Sequence, residues 1–161
     1  MLTFVQVDPT TEASLQILRR YYDDIIGRYN GRPATAAEIE ETLAEEPSDD
    51  LRGETGAFVV AREGEEVLGC AGVRYIDAAT GELTRVFVTS EARGRGLGAV
   101  LIGEVERVAM RAGRSRMRLD VRGDLVEARR LYGRAGYREV PAFSDAPYAD
   151  HWMAKDLVEL E

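Results

Sequence analysis

The chain has 161 residues, 45% of them apolar, and a net charge of −8. That length fits one domain, residues 1–161, with a single core, and the acidity argues against a general nucleic-acid binder, which shows a basic face. No run approaches the ~18 apolar residues of a membrane span, and the apolar start MLTFVQV has no basic stretch ahead of it to mark a signal peptide, so a cytoplasmic protein away from membranes is expected.

In chain order, LTFVQV alternates and predicts a first strand ending at Asp8-Pro9. From Thr11 to about Tyr29, Leu15, Leu18, Tyr22, Ile25 or Ile26, and Tyr29 recur at helical spacing. After the NGRP break, Thr35-Ala36-Ala37-Glu38 has capping-box spacing and predicts a second helix to about Glu46. Seven of the thirteen residues from Glu38 to Asp50 are acidic, either a solvated face or a rim that draws in a cation. AFVVAR and EVLGCAGVRYI flank Glu63-Gly64-Glu65 as a hairpin, and ELTRVFV follows as a third antiparallel strand. Cys70, the only cysteine, lies in the apolar run VLGCAGV and reads as a core thiol.

Behind ELTRVFV comes TSEARGRGLG, and then Val100, Leu101, Val105, Val108, Ala109 and Ala112 form one helical face that stops at Gly113. RMRLDV predicts a strand, Leu125 to Ala135 a helix, YREV another strand, and HWMAKDL a last one. This order is mixed α/β, antiparallel at first and then connected through helices.

Gly94, Gly96 and Ala99 satisfy a dinucleotide-binding pattern, with Asp120 downstream, but TSEA separates the glycines from the strand and a meander precedes them, against a Rossmann unit. The alternative is a helix starting near Gly96 whose orphan N–H groups and partial positive charge face a pyrophosphate, with Arg93 and Arg95 adding charge. Strand, short loop, Arg93-x-x-Gly96-x-Gly98 and amphipathic helix together resemble the signature of the GNAT superfamily of N-acetyltransferases. LDVRGDLVEARRLYGRAGYREV is similar to that family's second motif, and HWMAKDL to its terminal strand, so the resemblance spans nearly the whole chain.

The resemblance implies a GNAT fold, a mixed central sheet with an antiparallel N-terminal meander and helices on both faces. It implies acetyl-CoA as cosubstrate, no metal, and an amine acceptor. The pyrophosphate would lie on Arg93, Gly94, Arg95, Gly96, Leu97, Gly98 and Ala99. The backbone of Val86, Phe87 and Val88, at a bulge where two parallel strands splay, would bond the pantetheine arm. Where many members carry an asparagine cofactor contact, this chain has Leu125. Dimers are common in the family, so a homodimer is an expectation.

Transfer of acetyl to an amine needs a base for the ammonium and a donor for the departing thiolate. The resemblance aligns Tyr132 with the family's donor tyrosine. Two carboxylates compete for base: Glu82, the first choice, similar to the glutamate many members use, and Asp120, at the acid position of enzymes acting on protein N-termini; direct attack with no protein base is the third option. Tyr22, Asp23, Asp24 and Tyr29 fall on the variable acceptor wall, where acids and aromatic rings suit an ammonium. His151, the only histidine, has no ligand partner for a metal and reads as a structural hydrogen bonder. Three functions stay open: acetylation of a small cationic amine, acetylation of protein or peptide N-terminal amines, and a non-catalytic acyl-CoA-binding module.

Overall fold

A computed structural model of the protein describes residues 1–157. In chain order it has β1 (Leu2–Gln6), α1 (Glu12–Asn30), α2 (Ala36–Glu45), β2 (Gly56–Glu63), β3 (Glu66–Tyr75), β4 (Thr80–Val88), a short 3-10 turn (Ser90–Ala92), α3 (Leu97–Arg111), β5 (Arg116–Val121), α4 (Val126–Arg134), β6 (Arg138–Glu139) and β7 (His151–Asp156). The sheet runs β1-β2-β3-β4-β5-β7-β6. Among the described residues only β4 and β5 are parallel neighbours. The expected YREV strand is confined to Arg138–Glu139, because Tyr137 turns into the core.

Helices cover both faces, and β2 shows how. Its Ala57, Val59 and Ala61 join Leu101, Ile102, Val105 and Ala109 of α3 in one apolar layer. Its Phe58 and Val60, pointing the opposite way as strand pleating requires, join Ile17 and Leu18 of α1 in the other. Leu51, from the loop EPSDDLRGETG, is fully buried in that second layer. Thr35 and Glu38 form the expected capping box at the start of α2. Cys70 is buried, its thiol on the carbonyl of Arg85. Among the described residues no helix is long and apolar enough to cross a membrane.

One polar cluster pierces the α3 layer. Glu106, 8% exposed, accepts from the Tyr137 hydroxyl at 2.8 Å and from Lys155 Nζ at 2.9 and 3.1 Å. Burial, and then the Glu106 charge, raise the Tyr137 phenol above its ordinary range, so it stays a donor. Glu106→Ala leaves the half-buried Lys155 without its counter-charge and the buried Tyr137 hydroxyl without its acceptor. It is therefore expected to destabilise the fold by about 1–3 kcal/mol, read as a lower urea midpoint at unchanged slope.

Candidate active site

The site begins with an irregularity in β4. Cys70 pairs with Phe87, but Gly72 pairs with Thr84, so β4 has one extra residue opposite Ala71. Arg85 takes up the excess with φ 57°, among the described residues the only non-glycine one in the left-handed region. The bulge reverses the alternation of the strand. Leu83 faces the α3 layer, Thr84 and Arg85 both lie on the α1 side, and Val86 returns to the α3 layer. Without it, the Arg85 side chain would point into the apolar α3 layer.

The bulge coincides with a parting of the sheet. β4 pairs with β5 only through Thr80–Glu82 against Arg116–Arg118. Beyond Glu82 the strands diverge, so the β5-facing edge of Leu83–Val88 has no neighbouring strand. An open edge of this kind accepts an extended chain by backbone hydrogen bonding. Val86, Phe87 and Val88 lie on it, and Arg93 Nε donates to the Val88 carbonyl at 3.2 Å.

At the mouth of the split, the three glycines do different work. Gly94 (φ 85°) and Gly96 (φ 76°) hold the left-handed turn into α3, and a Cβ on either would meet nothing within 4 Å. The space over them is open. Gly96 is the N-cap of α3 and offers no side chain to it, so the amides of Leu97, Gly98 and Ala99 have no intrahelical acceptor. Gly98 instead makes room for α4, since a Cβ there would lie 2.9 Å from Leu131 Cδ2. That neighbour is the end of a flexible side chain. Gly98→Ala is expected to cost about 1 kcal/mol by crowding, measurable as a small drop in Tm.

Arg95 is turned aside to Glu63, with Nη2 to Oε2 at 3.0 Å. Arg93 stays at the mouth, 3.6 Å from Asp24 of α1. From Ala99 a groove of about 280 Å³ runs on between α3 and α4. On it lies Arg134, which has no carboxylate partner among the described residues.

The inner walls carry the titratable groups. Burial raises the Tyr132 phenol well above its ordinary value, with the nearby Tyr21 and Asp120 adding to the effect, so it is protonated at neutral pH. Tyr132 also packs edge-on to Tyr137, with centroids 6.2 Å apart. The two acidic candidates are neighbours in unlike settings. Glu82 is held by Arg118 Nε at 3.0 Å and lies 4.0 Å from Arg74 Nη1. Asp120, two residues beyond Arg118 on β5, has no hydrogen-bond or ion-pair partner among the described residues. Although Asp120 keeps contact with solvent, loss of hydration raises its carboxyl, the Glu82 charge raises it further and Arg118 opposes both. A carboxylate so placed holds protons better than an ordinary one, whereas Glu82 accepts a hydrogen bond from Arg118.

On α1 the expected residues are scattered. Tyr22 is a core residue, 1% exposed, its hydroxyl on the Glu46 carbonyl at 3.4 Å; it does not line an open wall. Asp23 is exposed, and Tyr29, also exposed, stacks edge-on with Tyr148. The α1 residue brought to the site is Tyr21, 6.2 Å from the Phe87 ring and pushed up to about 12 by burial. Phe143, from the loop before β7, lies against the Arg118 guanidinium at 4.3 Å. His151 lies across from Glu139, Nδ1 to Oε1 at 2.8 Å, outside this group. Leu125 packs against the α3 layer.

The model of the Acetyltransferase (GNAT) family matches residues 16–137. No curated protein matches the sequence. Among solved structures the chain is similar to a GNAT-family acetyltransferase from Staphylococcus aureus Mu50, with TM-score 0.78 at 14% identity, over 98% of this chain and 100% of that one. It is similar to the PaiA N-acetyltransferase of Thermoplasma acidophilum in complex with coenzyme A, with TM-score 0.75 at 19% identity, over 98% and 99% of the two chains. A third is a GNAT-family acetyltransferase from Elizabethkingia anophelis with acetyl-CoA bound, with TM-score 0.67 at 16% identity, over 97% and 98%. At these identities the likeness is one of fold.

Proposed function

The chain belongs to the GNAT family of acetyltransferases, and on that footing we propose that it moves acetyl from acetyl-CoA to a small primary amine by direct attack. The observation that carries this reading is the divergence of β4 and β5, with Tyr132 and Asp120 on its walls and the open glycine turn at its mouth. The free amides of Leu97, Gly98 and Ala99, with Arg93, suit a pyrophosphate. Arg134 on the adjoining groove suits the phosphate of the nucleotide end.

Acetyl-CoA, when bound, supplies an activated acetyl group on a thioester. Asp120 takes the first proton from the acceptor's ammonium, directly or through water, leaving a neutral nitrogen to attack the carbonyl carbon. The open backbone edge of Val86–Val88 offers N–H donors to the negative oxygen that develops. Tyr132 gives its proton to the sulfur as the C–S bond breaks, and regains one from the nitrogen, which must shed a second proton to become an amide. One proton is released to solvent over the cycle. Asp120 is preferred to Glu82 as base because Glu82 is held by Arg118, whereas Asp120 has no hydrogen-bond or ion-pair partner among the described residues.

Acetylation of a peptide N-terminal amine is a second reading, favoured by Asp120, whose place in Leu119-Asp120-Val121-Arg122 is similar to the acid of enzymes with that activity. The lone buried thiol and the absence of a long apolar helix among the described residues suit a cytoplasmic enzyme. The test is release of free CoA thiol from acetyl-CoA across a panel of amines and short peptides. Thiol release dependent on a small amine supports the proposal; release with peptides alone favours the second reading. Tight acetyl-CoA binding without turnover of any amine would leave only a binding module.

A further inference from the structure

Four aromatic residues, Tyr29, Phe143, Tyr148 and Trp152, belong to none of the apolar layers of the core. All four gather around the strand that carries Asp120. Met117, Leu119 and Val121 of β5 join the α3 layer, so Arg118, Asp120 and Arg122 alternate onto the α1 side. There Phe143 lies on the Arg118 guanidinium at 4.3 Å, and Tyr29 on that of Arg122 at 5.1 Å. Tyr148 stands edge-on to Tyr29. Trp152 of β7 is the direct cross-strand partner of Asp120, and since its neighbour Met153 faces the α3 layer, Trp152 faces the α1 side. Directly paired side chains of antiparallel strands have Cβ atoms about 4.5–5.5 Å apart, so the indole and the Asp120 carboxylate share one patch of surface.

PAFSDAPYAD, the segment before β7, builds this enclosure. Its Ser144 accepts from Trp152 Nε1 at 3.0 Å, so one turn of chain holds both Phe143 and Trp152. Its Asp150 is tied to the end of β5, the carboxylate accepting from the Gly123 amide at 2.7 Å and the backbone amide donating to the Val121 carbonyl at 3.1 Å. Phe143 and Trp152 are half-buried and Asp120 is exposed, so each keeps open surface. The charges around Asp120 cancel in pairs: Arg118 with Glu82, Arg122 with Asp124, Arg74 with Asp50. Asp120 has no such partner among the described residues. A lone carboxylate ringed by aromatic side chains suits a cation that carries a flat apolar body.

Resting on the acetyltransferase reading above, we propose that the acceptor is an arylalkylamine, its ammonium at Asp120 and its aromatic ring packed on Trp152 and Phe143. A short alkylamine brings the charge without the ring, and a diamine puts a second charge where the ring would lie. Trp152 and Phe143 thereby set specificity, while the chemistry stays with Asp120 and Tyr132.

The experiment follows thiol release from acetyl-CoA with phenethylamine, 2-cyclohexylethylamine, butylamine and 1,4-diaminobutane. The expected result is a kcat/KM for phenethylamine about 10- to 100-fold above that for butylamine, the worth of burying a phenyl ring. Ring–ring contact is expected to place it about 2- to 10-fold above 2-cyclohexylethylamine. Phe143→Ala and Trp152→Leu are each expected to bring the first ratio towards one, whereas a merely structural role would lower both rates together and leave the ratio. A rate no higher than that of butylamine or 2-cyclohexylethylamine, a preference for the diamine, or a preference that survives both variants would each overturn the proposal.

Should Trp152→Leu fail to bind acetyl-CoA, and so to fold, Phe143→Ala, outside the core layers, decides. Trp152 is also the only tryptophan of the chain, so its fluorescence reads occupancy without turnover. If no amine is turned over, the activity reading fails, and titration of the CoA-loaded protein decides this one. A saturable change of emission with phenethylamine and not with butylamine would keep the arylalkylamine site. No difference between the two would remove it.

Discussion

Asp120→Asn is expected to lower kcat/KM by about 10²–10⁴, the usual contribution of a positioned general base, while leaving the fold as stable at pH 7 as the parent or more so. The second half follows from the direction of the Asp120 shift. Its carboxyl is raised in the folded state, first by loss of hydration and then by Glu82. The folded protein therefore holds this proton more tightly than the unfolded chain does. The resulting stabilisation is full below the ordinary carboxylate value of about 3.9 and is lost as pH rises through the raised value. At neutral pH the ionised Asp120 contributes strain, which asparagine relieves. A variant that loses both activity and stability would place Asp120 in the scaffold instead.

Glu82→Gln separates the two carboxylates. With Asp120 as base, removing the neighbouring charge of Glu82 lowers the Asp120 carboxyl, and the acid limb of kcat/KM moves to lower pH with activity retained. Complete loss of activity at every pH in Glu82→Gln, with acetyl-CoA still bound, would transfer the role to Glu82.

Gly96→Glu is expected to weaken acetyl-CoA binding by 100-fold or more, seen by calorimetric titration. Three effects act together. A non-glycine residue at φ 76° costs about 1–2 kcal/mol of backbone strain, the space over the turn is filled, and a carboxylate repels the pyrophosphate where three amides and Arg93 would attract it. Gly96→Ala isolates the first effect, and is expected to reduce stability more than binding. Undiminished binding in Gly96→Glu would move the phosphate site away from this turn.

Much of this was legible in the sequence, and the illegible parts share a cause. The order of strands and helices follows from periods of two and 3.6, the Thr35 cap from a four-residue spacing, and the glycine turn from a motif, all of them local. The bulge is not local. ELTRVFV alternates well enough for a regular strand, and only pairing with β3 shows that Arg85 and Val86 share one partner. Tyr21 and Tyr22 are adjacent, and helical spacing alone chose the buried one. Glu82 and Asp120 look equivalent until Arg118 and Arg74, from β5 and β3, are brought to the first of them. Gly98 belongs to the motif by spacing, yet the space at its Cα is taken by Leu131, a residue more than thirty positions away.

Lys155 is the only lysine of the chain, and its amine is tied to Glu106 where β7 meets α3. Amine-directed reagents thus find a single side-chain target, and one they reach freely only when that contact opens. The rate at which Lys155 is labelled becomes a clock for local opening of the α3 layer, readable by mass spectrometry in the unmodified protein and without a second lysine to confuse the signal. Glu106→Ala should make that clock run faster. Ligands seated in the groove between α3 and α4, which Lys155 itself lines, should slow it, so one residue reports on the occupancy of that groove.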